Sequence, residues 1–271
     1  MTDSTRDPRH LPLAGAHNFR RIEGWRSPDG ARIAPGLLYR SSGLQDLTDD
    51  DLSVVRSLGI SHIVDLRSQD EREREPSCWP EDSSATVWAR AESAAAADLR
   101  RYISLGISDV EELAARLKGL YGDFPVDLAS AVRESLRQMI EKPGAPVMIH
   151  CAAGKDRTGF VVAAVLQALG IAEEDIVSDY LMTNQSYDAA CRRFSGRLHL
   201  AELEKRSPGA MHVLLMAHRH YLDASFDRIA RDWGCFDAYL QEMAGIGPEE
   251  KEHLRSSFLV ERAATKDSFR Q

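Results

Sequence analysis

The residues best suited to chemistry lie in one run, His150-Cys151-Ala152-Ala153-Gly154-Lys155-Asp156-Arg157-Thr158-Gly159. It places a cysteine and an arginine with five residues between them. A cysteine attacks as its thiolate, so its pKa must fall below the free value of about 8.5. A tight loop entering a helix N-terminus turns several backbone N–H groups toward one point, and the helix dipole adds partial positive charge there. That field stabilises a thiolate and equally a phosphate dianion. Arg157 supplies a planar fork that can grip two phosphate oxygens at once. Gly154 allows a turn that a Cβ would obstruct. The phosphate-binding set is therefore Ala152, Ala153, Gly154, Lys155, Asp156, Arg157 and Thr158. Thr158 could cap the helix or set its hydroxyl near the sulfur, and His150 could orient the loop through its ring nitrogens.

The flanking residues must hold such a loop. Pro146-Val147-Met148-Ile149 before it reads as a buried strand, and Phe160 to Leu166 after it as a buried helix running to about Leu169, where Gly170 stops it. Val126 to Ile140 is an amphipathic helix with Leu128, Val132, Leu136, Met139 and Ile140 inward. Asp109 to Leu120 forms another helix, which Tyr121-Gly122-Asp123-Phe124-Pro125 breaks. Thr48-Asp49-Asp50-Asp51 caps a helix carrying Leu52, Val55 and Leu58. Ile60 to Arg67 is a buried strand with a polar end. Such strand ends face the site in an α/β sheet, so Asp65 could orient a loop arginine or cap the next turn. Residues 25–36 read as a short hairpin around Pro28-Asp29-Gly30, and 85–88 as a further strand. The charged stretch from Ser68 to Asp82 reads as a solvated, helix-like connector. Two helices broken near Trp233-Gly234 and a last helix reaching Val260 complete the chain.

The chain has 271 residues, 43% of them hydrophobic, enough for a real core. Its net charge of −8 argues against nucleic acid or an anionic membrane as a bulk partner. No apolar run reaches spanning length, so stable membrane insertion is not expected. Residues 78, 151, 191 and 235 are cysteines without metal or disulfide-framework spacing, which fits reduced thiols. The polar start, Met1 to His10, lacks a signal peptide's apolar segment. The expected location is cytoplasmic, or exported without a cleavable signal peptide. Residues 1–15 read as a flexible tail, 16–262 as one domain and 263–271 as a frayed end. His212, His218 and His220 read as solvated or core residues rather than metal ligands.

The run His-Cys-x-x-Gly-Lys-Asp-Arg-Thr-Gly between a strand and a helix resembles the signature loop of the cysteine-dependent phosphatase superfamily. With Lys155 and Asp156 it is similar to the mycobacterial PtpB-like bacterial tyrosine/serine protein phosphatases, whose loop is itself similar to that of some lipid phosphatases. Asn18-Phe19-Arg20, Tyr39-Arg40-Ser41, the Asp65-Leu66-Arg67-Ser68 strand end and Asp179-Tyr180-Leu181 with Asn184 match further elements of that family. The resemblance implies an α/β, protein-tyrosine-phosphatase-like three-layer fold, a short central sheet flanked by many helices. It implies helical lid insertions, for which 89–124 and 185–220 are candidates. It makes Cys151 the nucleophile and Arg157 the phosphate binder. Lys155 would add charge for multiply phosphorylated substrates. Asn18 and Arg20 would hold the loop from below, with Arg40 behind it.

One departure concerns the proton donor. Many tyrosine phosphatases carry it on a mobile Trp-Pro-Asp loop. Here Trp79-Pro80 is followed by Glu81, at the wrong place for such a loop. Glu92 and Asp98 are carboxylates after Trp88, but they would need loop closure, whereas Asp156 is fixed beside the leaving group. Asp156 is thus the first candidate. The expected activity is hydrolysis of phosphomonoesters through a phosphocysteine, without cofactor, releasing inorganic phosphate. The substrate is protein phosphotyrosine with phosphoserine/threonine, or alternatively a phosphoinositide. A silent phosphopeptide-binding module and a rhodanese-like sulfur transferase are the competing readings. The intact Cys/Arg pair opposes the first and the Gly-Lys-Asp-Arg-Thr run the second.

Overall fold

The computed structural model describes residues 7–80, 83–91, 109–196 and 198–261. Five strands form the main sheet: β1 (Arg20–Arg21), β3 (Leu38–Ser41), β4 (His62–Asp65), β5 (Thr86–Ala89) and β6 (Val147–His150). Their order is β1-β3-β6-β4-β5, with β3, β6, β4 and β5 parallel and β1 antiparallel at one edge. β6 is central, and register aligns Ser41, His150 and Asp65 at the C-terminal ends of its three middle strands. Ligand sites in open parallel sheets form beyond such ends, and Cys151 is the next residue after β6.

Alternating side chains assign the two faces. Leu38, Val64, Val147 and Ile149 join one buried cluster; Tyr39, Ile63 and Met148 join another. This is the period-two pattern of a strand buried on both sides. Each fully buried Val, Ile or Met contributes about 1.5–3 kcal/mol relative to exposure. The first face is covered mainly by two helices, α4 (Ala129–Glu141) and α5 (Asp156–Ala168). The second is covered by α1 (Asp49–Ser57), residues 11–19, and Cys78, Trp79 and Ala85. The result is the expected α/β layering, with one thick helical side.

α1 has the expected capping box, Thr48 with Asp51. Asp51 also accepts the N–H groups of Ala14 (2.9 Å) and Gly15 (2.8 Å). Leu11 N–H donates to Phe19 O and Arg21 N–H to Arg9 O. Residues 7–15 are therefore built into the fold, where the sequence read 1–15 as a flexible tail. α2 (Gln69–Arg74) is a second capped helix, Ser68 pairing with Glu71.

α3 (Val110–Asp127) continues past the expected break, through Pro125. A mid-helix proline frees the carbonyl four residues back. That carbonyl, Tyr121 O, accepts the Ser225 hydroxyl at 2.6 Å from α10 (Arg219–Trp233). Leu117, Leu120, Tyr121 and Phe124 of α3 are buried in the main cluster, so 110–124 is a core element and not part of a lid. The rest of the candidate lid 89–124, from 92 to 108, lies outside the described residues, and so do Glu81, Glu92 and Asp98.

α6 (Glu173–Leu181) follows α5. Next come α7 (Tyr187–Ser195), α8 (Leu198–Arg206) and α9 (Ala210–Leu215). Ala190, Phe194, Leu200, Leu203, Ala210, Leu214 and Leu215 form a separate small core with Leu113, and Ala153 of the signature loop packs against it. The expected 25–36 hairpin is present as a narrow one: Arg26 bridges Arg32 antiparallel, and Ser27 N–H to Ala31 O (3.0 Å) and Ile33 N–H to Trp25 O (3.1 Å) join its arms around Pro28-Asp29-Gly30. β2 (Arg32–Ile33) also pairs with β7 (Leu259–Val260), which follows α12 (Pro248–Phe258) and ends it short of the expected Val260. α11 (Phe236–Tyr239) and a π-turn segment, Leu240–Ala244, precede it. Among the described residues no helix is long and apolar enough to cross a membrane.

Candidate active site

Cys151 leaves the end of β6 with only 2% of its surface exposed. The Gly154 N–H donates to its sulfur at 3.3 Å. α5 then starts at Asp156, with Lys155 at its N-cap and no side chain capping its first turn. The first N–H groups of a helix have no partner within it, so those of α5 remain for an anion. Thr158 does not serve as the cap. It is the third helical residue, and its buried Oγ1 has no hydrogen-bond partner among the described residues.

Gly154 is required twice. Its φ is +67°, and a Cβ there would lie 2.5 Å from Ser41 O and 2.7 Å from Ser42 N. The loop thus rests directly on the end of β3. Gly159 has a similar reason: a Cβ would meet the Tyr180 ring at 2.8 Å, so α5 and α6 could not approach. The two glycines are thus explained by close approach, of the loop to the β3 backbone at Gly154 and of the α5 backbone to the Tyr180 ring at Gly159.

The Gly154 carbonyl is pulled back by two buried donors, Asn18 Nδ2 and Arg40 Nη2, each at 2.8 Å. In a trans peptide this turns the Lys155 N–H to the opposite side. Asn18 holds a left-handed backbone, φ 59°, which asparagine tolerates better than most residues. Its side-chain oxygen accepts from Arg20 Nη1. Arg20 and Arg40 both meet Asp179, Arg40 Nη1 at 2.6 Å and Arg20 Nε at 3.3 Å. The three side chains are buried together. Burial alone would raise the Asp179 pKa; the two guanidiniums outweigh it and the net shift is downward. Asn18, Arg20 and Arg40 are thus brought together behind the loop. Asp179, which the sequence showed as a family match, is the anion that lets two arginines stay there.

Arg157 is 11% exposed. Its fork faces Glu71, Nη1 to Oε2 at 2.6 Å and Nη2 to Oε1 at 2.9 Å, while Nη1 also donates to Leu66 O at 3.1 Å. Burial opposes the charge; Glu71 more than offsets this, and the Arg157 pKa is raised. Glu71 belongs to the stretch read as a solvated connector. Its capping box with Ser68, Ser68 N–H to Oε2 at 2.7 Å, ties the arginine to the start of α2. Asp65 takes the other role open to it: it accepts Arg67 Nη2 at 2.7 Å and Arg67 N–H at 3.0 Å. It sits 3.7 Å from His150 Nε2 and does not touch the loop arginine. Burial lowers the His150 pKa, Asp65 only partly opposing it, so the ring is favoured neutral. We expect Glu71→Gln to lower kcat/KM about 10–100-fold, the size of lost hydrogen bonds to a charged group at roughly 1.5–3 kcal/mol. Steady-state kinetics checks this, and an unchanged value would show that Arg157 needs no such support.

Lys155 does not present its charge as expected. It is 1% exposed, and Nζ donates to Leu214 O at 2.6 Å and Met216 O at 3.2 Å, at the C-terminal end of α9. A cation among the last carbonyls of a helix is favourable. Asp156 Oδ1 lies 3.2 Å from the same ammonium. Oδ1 also accepts from Tyr121 OH at 2.7 Å. Ala152 O accepts Gly43 N–H at 3.0 Å, fixing the loop's other side. His212, His218 and His220 form a ring-to-ring chain between Tyr187 and Tyr221. No group of three or more His, Cys, Asp or Glu among the described residues is arranged to hold a metal ion.

The sequence profile of the tyrosine phosphatase family matches residues 11–260. A Cupriavidus necator relative, whose name places it among tyrosine-protein phosphatases, is 33% identical over 247 residues, covering 90% of this chain and 86% of that one. The triple specificity protein phosphatase PtpB of Mycobacterium tuberculosis is 31% identical over 277 residues, 91% of this chain and 98% of its own. A tyrosine-protein phosphatase of Nostoc commune is 25% identical over 234 residues, 82% and 74% of the two chains.

Proposed function

Because the chain belongs to the tyrosine phosphatase family, we propose that it hydrolyses phosphomonoesters through a phosphocysteine, with protein phosphotyrosine as first substrate. The observation that carries this is the buried Cys151 sulfur under the Gly154 amide, at the open start of α5, with the Arg157 fork on the same loop. Cys151 Sγ attacks phosphorus in line with the leaving oxygen, forming the S–P bond as the P–O bond breaks. Arg157 and the amides of residues 152–158 neutralise the equatorial oxygens. Asp156 gives its proton to the leaving oxygen. Water then attacks phosphorus, the S–P bond breaks, and inorganic phosphate leaves.

Depth supports phosphotyrosine: a phosphorus that meets a sulfur 2% exposed must ride on a long, slender group. The triple-specificity name of the mycobacterial relative supports substrates beyond phosphotyrosine, phosphoserine/threonine and phosphoinositide alike. The phosphoinositide reading leaned on Lys155, whose ammonium is occupied by Leu214 O and Met216 O. Helices α7 to α9, resting on Ala153 and held by Lys155, serve as the cover of the pocket in this reading. A thiolate nucleophile needs a reducing setting, which favours the cytoplasm; export without a cleavable signal peptide is compatible with the same chemistry.

The test is a side-by-side rate comparison on phosphotyrosine peptides, phosphoserine/threonine peptides and phosphoinositide vesicles. The expected order places phosphotyrosine first. A phosphoinositide rate above the peptide rates would overturn the substrate assignment. Binding of phosphate without turnover on any of the three would overturn the enzyme reading in favour of a binding module.

A further inference from the structure

Asp156 is the first residue of α5, and its side chain is 21% exposed. One oxygen, Oδ1, is tied: Tyr121 OH donates to it at 2.7 Å, and Lys155 Nζ stands 3.2 Å away. Tyr121 OH lies 2.6 Å from Tyr180 OH. An ionised carboxylate only accepts, so the Tyr121 proton points to Asp156. The Tyr121 oxygen is then free to accept the Tyr180 proton. The chain therefore runs Tyr180 to Tyr121 to Asp156. Both phenols are buried, which pushes their pKa values well above the usual value and keeps them as neutral donors.

The rings leave Tyr121 little freedom. It stacks on Tyr221 with centroids 5.5 Å apart, packs against Phe124 at 4.8 Å and meets Tyr180 edge-on at 6.2 Å. Three separate elements, α3, α6 and α10, converge there to support one hydroxyl. The charged and titratable groups facing Asp156 are Tyr121 from α3, Tyr180 from α6, Tyr221 from α10, and Lys155 and Arg157 from its own loop and helix. His218, beside Tyr221, faces Lys155 in turn.

We propose that Tyr121, backed by Tyr180, is a positioning residue for Asp156: it locks the carboxyl through Oδ1 and leaves Oδ2 to exchange the proton. This rests on the reading of Asp156 as the proton donor. Without the lock the donor oxygen is no longer held on the leaving group, so proton transfer slows. The effect must be larger for a basic leaving group, because proton transfer matters more there.

The experiment compares wild type, Tyr121→Phe, Tyr180→Phe and Asp156→Asn on phenyl phosphate and para-nitrophenyl phosphate across pH. Tyr121→Phe keeps the ring and its packing. The expected result is kcat on phenyl phosphate lowered roughly 3–10-fold, kcat on para-nitrophenyl phosphate lowered less, and KM unchanged. Tyr180→Phe lowers kcat in the same pattern by less. Adding Tyr121→Phe to Asp156→Asn produces no further loss in kcat. Equal losses on the two substrates, or the same loss in the Asp156→Asn background, would overturn the proposal and reduce Tyr121 to a packing residue. If Asp156→Asn keeps the wild-type pH–rate profile, Asp156 is not the donor; the parent reading then fails, and the proposal with it.

Discussion

Cys151→Ser is expected to lower the turnover of para-nitrophenyl phosphate by roughly 10⁴–10⁶-fold, the range seen when a nucleophile is removed from a covalent mechanism. A serine hydroxyl ionises far less readily than a thiol, so the attacking anion is largely lost. His150, the adjacent residue, is buried, favoured neutral and turned to Asp65. The Gly154 amide and the helix start can stabilise an anion, but neither can take a proton. Phosphate binding must survive, because Arg157, its Glu71 partner and the loop amides are untouched. Calorimetric titration with inorganic phosphate beside the rate assay separates the two effects. Turnover within tenfold of wild type would sink the covalent mechanism, and lost phosphate binding would mean that the sulfur itself organises the loop.

The second large effect is structural. Asp179→Asn should destabilise the fold by about 3–5 kcal/mol, the cost of leaving buried charge uncompensated. That corresponds to roughly 6–20 °C in Tm, at about 2–4 °C per kcal/mol for a chain of this size. Arg20 and Arg40 would remain buried without their shared anion. Arginine cannot escape by losing its proton in this pH range. The Gly154 carbonyl would then lose its fixed partner Arg40, so activity should fall as well. The pH dependence has a definite sign. The folded-state pKa of Asp179 is depressed below the ordinary 3.8. Its contribution is therefore complete above pH 4 to 5 and is lost as the pH falls through the folded value. Thermal melts of the two proteins should differ most near neutral pH and converge in strong acid. A gap that widens on acidification would contradict the assignment.

Much of the site was legible because it is contiguous. Strand, loop and helix around Cys151 follow from apolar runs on either side of a polar decapeptide, and both glycines stand where a Cβ would collide, Gly154 with the Ser41–Ser42 backbone and Gly159 with the Tyr180 ring. Asp51 at the start of α1 could be recognised as a helix cap, but its grip on Ala14 and Gly15 could not. The tail therefore looked loose. Likewise Pro125 looked like a helix breaker, since the serine that satisfies the freed carbonyl lies 104 positions away in the chain.

The sequence by itself marked Cys151 as the candidate nucleophile and its loop as the candidate anion site, because residue type and spacing are local properties, and its resemblance to a known phosphatase loop pointed to the α/β class. Tertiary structure decided where the charges point. Glu71 sits in a run of alternating charges that any sequence reading leaves to solvent, yet it holds Arg157. Lys155 looks like a substrate ligand and instead caps α9. Asp179 and Tyr121 reach the loop only when α6 and α3 pack beside it. A buried ion must find its partner wherever the fold supplies one, and that partner is set by three-dimensional packing rather than by neighbours along the chain.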